Sequence, residues 1–124
     1  MEKINEIIDK YKYDKTLRMY SNKYYFRDNT MYAKIMTKDD VDATIRSIEY
    51  YINYYKKLYP LHIEDVTDLE KALGEYEIAI NKVLQCYSIL KINYTADELQ
   101  KLIDNISSYE NEIKEINLRR MCQD

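Results

Sequence analysis

The chain offers few side chains that could carry out chemistry, and a single histidine limits them further. Because His62 is that histidine, a histidine-based metal cluster is excluded, and a catalytic triad would have to use this one residue. Glu64 and Asp65 follow it closely, but acids in this position are typical of the approach to a helix. The one glycine of the chain excludes the glycine-rich phosphate loops of nucleotide-binding enzymes. We therefore expect a protein without catalytic residues, bound metal or cofactor.

The cysteines and a group of aspartates also predict no metal site. Cys86 and Cys122 are too few and too far apart for a disulfide framework or for the paired cysteines of a zinc site, so we expect reduced thiols. Asp39, Asp40 and Asp42 lie close together, but acids are common in a first helical turn, and their spacing lacks a calcium-binding loop. Neither group predicts a metal site.

A basic and aromatic segment, residues 10–27, interleaves lysines and arginines with tyrosines and has Asp14 as its only acid. Cations that contact phosphates, beside rings that stack on bases, are what binding of single-stranded nucleic acid or nucleotides requires. The candidate contacts are Lys10, Lys12, Lys15, Arg18, Lys23, Tyr24 and Arg27. The alternative is that the rings pack this segment against the rest of the chain while the lysines stay in solvent.

A second aromatic group holds five tyrosines between positions 50 and 59. Helical spacing places Tyr55 and Tyr59 on a stripe that faces the core and Tyr51, Tyr54 and Leu58 on an adjacent stripe, whereas Tyr50 points farther round the helix. The candidate interface residues are Tyr50, Tyr51, Tyr54 and Leu58. Tyrosine buries a large area at a small cost in side-chain entropy and has a polar tip, which makes it common at interfaces. We predict a partner interface here, whereas the alternative is packing within the chain.

The second half of the chain is acidic, because residues 61–124 have a net charge of −6 and residues 1–60 a net charge of +3. Six acids lie close together in it: Glu64, Asp65, Asp68, Glu70, Glu75 and Glu77. Such an array could imitate phosphates towards a basic groove of another protein. The alternative is a solvated helix face.

Three threonines, each followed three residues later by an acid, mark the starts of three long helices. They are Thr37, Thr67 and Thr95. Behind each of them, apolar residues recur at alternating intervals of three and four, and Pro60 should stop the first helix. We predict helices over about residues 38–59, 68–91 and 96–121. The connections between them predict a bundle of three long antiparallel helices. Gly74, inside the second of them, is expected to permit close approach of a neighbouring helix, and the alternative is that the helix breaks there.

The first 36 residues lack the long apolar stripe of the three predicted helices. Ile4, Ile7, Ile8 and Tyr11 are spaced as in a short amphipathic helix that ends near Lys12. Further along, two aromatic runs flank Asp28 and Asn29, which tolerate a positive φ angle, so a small β-hairpin over about residues 23–35 is predicted. An aromatic helix is the competing interpretation.

Composition decides the class of protein. One glycine and one proline are too few for the turns of an all-β domain, and 46% hydrophobic with 33% charged residues is typical of a folded chain. We predict a mainly α-helical single domain over residues 1–124, with residues 1–36 as an N-terminal subregion and residues 37–124 as the three-helix bundle. Without a membrane-spanning stretch or a secretory signal in the sequence, we expect a cytoplasmic protein with no membrane partner.

The functional expectation follows from residue usage and exposed aromatic side chains, since no catalytic or metal site is predicted. Isoleucine, tyrosine, lysine and asparagine make up 54 of the 124 residues, a usage typical of AT-rich genes of low-GC bacteria and their phages. We expect a non-enzymatic interaction protein of phage or mobile-element origin that binds and inhibits a host protein, for example a defence-system protein. Self-association into a homodimer is expected as well, because aromatic residues extend beyond one core stripe. The alternative is a nucleic-acid or nucleotide-binding module that uses residues 10–27.

Overall fold

Five helices form the part of the chain that the computed structural model describes, residues 2–13, 18–24, 37–85 and 94–123. They are α1 (Glu2–Tyr13), α2 (Met19–Tyr24), α3 (Lys38–Lys57), α4 (Ile63–Gln85) and α5 (Ala96–Cys122). None of these residues lies in a strand, so the predicted mainly α-helical class is confirmed.

The helices α3 and α5 run side by side in the same direction. The hydroxyl of Tyr109 donates a 2.8 Å hydrogen bond to Glu49, and the guanidinium of Arg119 donates a 2.9 Å hydrogen bond to the backbone carbonyl of Leu58. These two pairs are separated by 60 and 61 residues, and so constant an offset requires parallel helices.

Helix α4 runs antiparallel to α3 and contacts every other helix. The hydroxyl of Tyr55, near the end of α3, lies 3.5 Å from Asp68 near the start of α4, whereas Ser47 and Glu75 line one shared groove. Because α4 lies in the middle of the assembly, most of its residues from position 72 onward are buried. The buried core joins side chains from all five helices.

Two of the three predicted helix starts are correct. Thr37 accepts a hydrogen bond from the backbone N–H of Asp40, and Thr95 accepts one from Glu98, while each acid accepts from the N–H of its threonine. These reciprocal bonds satisfy backbone donors that the first turn of a helix leaves without partners. They also lower the pKa of Glu98.

The third predicted start is wrong, because α4 begins at Ile63 and Thr67 lies inside it. The carboxylate of Asp65 accepts a 2.8 Å hydrogen bond from the backbone N–H of His62, so it stabilises a start one turn earlier. The hydroxyl of Thr67 donates to the carbonyl of Ile63 as an interior helix residue does.

The predicted end of the first long helix is two residues too late. Helix α3 ends at Lys57, because Leu58 takes an extended conformation and Tyr59, the residue before Pro60, is disfavoured in helical conformation. Tyr59 is exposed and does not join the core stripe to which its spacing assigned it. The predicted end of the second long helix, residue 91, lies outside the described residues.

The N-terminal helices cover one side of the bundle. Ile7 and Tyr11 of α1 and Tyr20 of α2 are buried in the common core. The hairpin predicted over residues 23–35 is contradicted at its first two residues, Lys23 and Tyr24, which close helix α2. Residues 25–35 lie outside the described part of the chain.

Candidate protein-binding surface

Three tyrosines on α3 are exposed to solvent, whereas Ile48, Ile52 and Tyr55 of the same helix are buried. Tyr50, Tyr51 and Tyr54 expose 65%, 40% and 51% of their surface, and Leu58 beyond them is half-buried. We call these four residues the tyrosine face. It coincides with the candidate partner interface of the sequence analysis.

Helix periodicity explains the exposure. The buried residues of α3 are Val41, Ile48, Ile52 and Tyr55, which share one stripe towards α4 and α5. Each helical residue turns the side chain by about 100°, so Tyr50 and Tyr54 point about 160° from the directions of Ile48 and Ile52. The packing that anchors α3 therefore leaves these two rings on the far side of the helix.

The rings of the tyrosine face are held in a defined arrangement. Tyr50 and Tyr54 are stacked, with ring centres 6.4 Å apart and planes 15° apart. Tyr54 also meets the ring of the buried Tyr55 edge to face at 5.2 Å. Contacts of this kind orient aromatic rings, and they continue here from the core to the surface. A shallow groove of about 350 Å³ lies between Tyr50, Tyr54 and Leu58.

A row of exposed residues follows the same side of α3, and we call it the outer stripe. It consists of Asp39, Ala43, Arg46, Tyr50, Asn53 and Lys57. The spacing of these positions is 4-3-4-3-4, so all six lie on one side of the helix. Within the described residues, Asp39, Arg46 and Lys57 take part in no ion pair. The outer stripe thus has a free acid at one end and a free base at the other.

Of the basic segment, the structure describes Lys10, Arg18, Lys23 and Tyr24 with their side chains, and two of these cations contact other side chains of the chain. Lys23 lies 3.7 Å from Glu70 and 5.1 Å from the ring of Tyr24, whose hydroxyl donates a 2.6 Å hydrogen bond to the same Glu70. The hydrogen bond to Tyr24 and the charge of Glu70 raise the pKa of Lys23. Arg18 is half-buried with its guanidinium 5.4 Å from the ring centre of Tyr11. These side chains hold α2 against the bundle.

Of the remaining cations of this segment, the structure describes the side chain of Lys10. Lys10 is exposed on α1 and lines a cleft of about 440 Å³ between α1 and α5, together with Glu6, Asp97 and Asp104. Three acids and two lysines line this cleft, so its lining is not predominantly cationic. Lys12 belongs to α1, and its side chain is outside the described set, as are Lys15 and Arg27 entirely.

The candidate acidic surface is divided between the interior and the exterior. Glu77 is fully buried in α4, so its assignment to a surface is wrong. Its carboxylate accepts a 2.7 Å hydrogen bond from the backbone N–H of Ser21, because α2 packs directly over this part of α4. Glu70 is half-buried and committed to Tyr24 and Lys23.

The other four acids remain accessible but do not form a dense array. Glu64 and Asp68 are exposed, and Asp65 and Glu75 are half-buried. Asp65 is bonded to the backbone at the start of α4, and Asp68 faces the hydroxyl of Tyr55. Glu64, Asp65 and Asp68 lie in the first two turns of α4, and Glu75 lies farther along the same helix.

A polar stripe along α4, which the sequence analysis missed, holds the N-terminal helices. Glu70, Gly74, Glu77 and Asn81 are spaced 4-3-4 and therefore lie on one side of α4. Glu70 and Glu77 bind α2, and Asn81 accepts a buried 2.9 Å hydrogen bond from the hydroxyl of Tyr11 in α1. Gly74 is buried between the two residues that bind α2, where the absence of a side chain admits close approach.

Of the histidine and the two cysteines considered for chemistry, the structure describes His62 and Cys122. His62 is exposed next to the start of α4, Cys122 is an exposed free thiol, and Cys86 is outside the described residues. In the described ranges, no three potential ligands gather as a metal site would require. None of the helices described has the length and apolar character to cross a membrane.

Comparison with known proteins adds no relative to these observations: no family model, no curated protein and no solved structure matches the chain.

Proposed function

We propose that this protein is a non-enzymatic interaction protein that binds another protein through the tyrosine face of α3. The observation that carries the proposal is the exposure of three tyrosine rings whose mutual contacts already orient them. Ordered rings lose little conformational entropy when a partner covers them, and each has a hydroxyl that can bond at the edge of the contact.

We propose further that the target is a protein of a host cell, which this protein inhibits from within the cytoplasm of that cell. The AT-rich residue usage supports a phage or mobile-element gene, and proteins of such origin commonly act on host machinery. Inhibition of a defence-system protein is the specific form of this proposal.

Binding of nucleic acid is the weaker candidate, because two of its described cations, Arg18 and Lys23, have other partners. Lys23 and Tyr24 bind Glu70, and Arg18 lies over Tyr11. A phosphate would compete with contacts that hold α2 in place, and such contacts are costly to break when they are half-buried.

The test is affinity capture from a host lysate with the tagged protein, with and without nuclease, followed by mass spectrometry. We expect a specific protein to be retained after nuclease treatment. The variant Tyr54→Glu should no longer retain that protein, because a carboxylate would be buried in the contact. Tyr59→Glu is the matched control, since Tyr59 is 67% exposed and lies beyond the end of α3.

Direct binding to a single-stranded oligonucleotide at low ionic strength separates the two candidates. Phosphate contacts weaken steeply with salt, whereas a tyrosine contact does not. Tight and salt-sensitive binding that the combined change Lys12→Glu, Lys15→Glu and Lys23→Glu abolishes would replace the protein-binding proposal with the nucleic-acid one.

A further inference from the structure

We infer that the tyrosine face binds a second copy of this chain, with the two α3 helices packed antiparallel along their outer stripes. This inference rests on the proposed function, because it takes the tyrosine face as a protein-binding surface and names its partner. In that dimer the tyrosine face is occupied, so a host protein that binds this face competes with the second copy for it.

The spacing of the outer stripe carries the inference. The intervals 4-3-4-3-4 read the same in both directions and are centred on position 48. When two such helices pack antiparallel around a two-fold axis at that level, each position of one stripe meets a position of the other. Position 39 meets 57, position 43 meets 53, and position 46 meets 50.

The side chains at these positions are complementary when the helices are paired in this way. Asp39 of one copy meets Lys57 of the other, which forms an ion pair at each end of the contact. Arg46 meets the ring of Tyr50, where a guanidinium is attracted to the aromatic face. Rise per residue is about 1.5 Å, so the two ion pairs are about 27 Å apart and frame the tyrosines.

Small and large side chains also alternate across the contact. Tyr54 lies beside the outer stripe on the same side as Ala43, and the symmetry brings each Tyr54 next to the Ala43 of the other copy. The ring then fills the space that the small alanine side chain leaves. The shallow groove beside Tyr50 and Tyr54 is covered by the same pairing.

The opposite orientation is unfavourable. In a parallel pair, Asp39 would meet Asp39 and Lys57 would meet Lys57, so both ends would repel. The charges of the outer stripe therefore select the antiparallel arrangement, and they are free to do so because no partner within the described residues neutralises them.

The experiment uses two single charge reversals, Asp39→Lys and Lys57→Asp, in the full chain. Light scattering over a concentration series should show a dimer for wild type. Each variant alone places like charges at both ends of the helix contact, so its association constant for dimer formation should fall at least about tenfold. Mixed one to one, the two variants should associate again with each other, since a lysine of the first variant then lies opposite an aspartate of the second at both ends.

Controls and contradicting outcomes are equally specific. The reversals Lys101→Asp and Glu115→Lys on α5, where both residues are exposed, should leave association unchanged, and circular dichroism should show intact helices in every variant. A wild type that stays monomeric at the highest concentration overturns the inference. So does a dimer that ignores the reversals, or variants that fail to associate when mixed.

The two proposals fail in different ways. A monomeric wild type that still captures a host protein through Tyr54 overturns the pairing and supports the protein-binding function. A dimer that obeys the charge reversals but captures no protein supports the pairing and overturns the host target.

Discussion

The carboxylate of Glu77, in the middle of α4, accepts a 2.7 Å hydrogen bond from the backbone N–H of Ser21 in α2, and both residues are buried. A helix of six residues cannot form by itself, so α2 depends on contacts of this kind. Burial raises the pKa of Glu77 to about 7, against the opposing effect of the N–H groups of Ser21 and Tyr20 and together with the charge of Glu110.

This pKa predicts that the protein loses stability as the pH rises. The folded pKa lies above the unfolded value of 4.5, so the folded state binds more protons between those two values. The contribution of Glu77 is therefore fully present below about pH 4.5 and is lost on the way to about pH 7. Urea unfolding should give a free energy of unfolding on the order of 2–3 kcal/mol higher at pH 4.5 than at pH 8 from this group alone.

The variant Glu77→Gln isolates that contribution. A neutral amide keeps an acceptor for the Ser21 N–H without the cost of a buried charge, so the variant should be more stable than wild type at pH 8 and less dependent on pH. Glu64→Gln on the exposed start of α4 is the control and should keep the wild-type profile. Identical pH profiles for wild type and Glu77→Gln would contradict the assignment.

Gly74 should resist enlargement although glycine is a poor helix former. It is buried one turn from Glu70 and one from Glu77, the residues through which α4 binds α2. Gly74→Leu should lower the free energy of unfolding by about 1–3 kcal/mol, because the new side chain enters a filled contact. Lys71→Leu, at an exposed position of the same helix, should change it by less than about 0.5 kcal/mol. A stabilised Gly74→Leu protein would show that α2 does not pack closely there.

Arg119 acts as a cap for the end of a different helix. Its guanidinium donates hydrogen bonds to the carbonyls of Tyr55 and Leu58, in the last turn of α3 and directly after it. Such carbonyls have no partner within their own helix. Arg119→Ala should cost about 1–3 kcal/mol in urea unfolding, whereas Arg120→Ala, which removes only a bond to Asn117, should cost less than half of that. Equal losses would contradict the capping role.

The three threonines that resemble helix caps should respond differently to alanine. Thr37→Ala and Thr95→Ala each remove a cap and should cost about 1 kcal/mol. Thr67 lies inside α4, so Thr67→Ala should change the free energy of unfolding by less than about 0.5 kcal/mol. Thermal unfolding of the three variants checks this order, and a cost at Thr67 as large as at Thr95 would contradict the observed start of α4.

The amphipathic patterns were sufficient to predict the long helices and part of the tyrosine face. Helix α5 was predicted to within one residue of its observed end at Cys122, because a capping box and an uninterrupted apolar stripe act within a few turns of chain. The exposure of Tyr54 was predicted for the same reason, since a stripe that is already filled leaves its opposite side free. Tyr59 was predicted wrongly, because a periodicity continues in the sequence after the helix itself has ended.

Only the tertiary structure decided which polar residues of α4 are buried. Glu77 is an acid like the exposed Glu64 and Asp68 earlier in α4, yet α2 lies over it. Its spacing from Glu70 and Asn81 was the available signal, but a polar stripe at core spacing has the same appearance in sequence as a solvated one. Local pattern determines which side of a helix a residue occupies, whereas the chain that packs against that side is set by contacts between residues 50 to 70 positions apart, such as Ser21 with Glu77 and Tyr11 with Asn81.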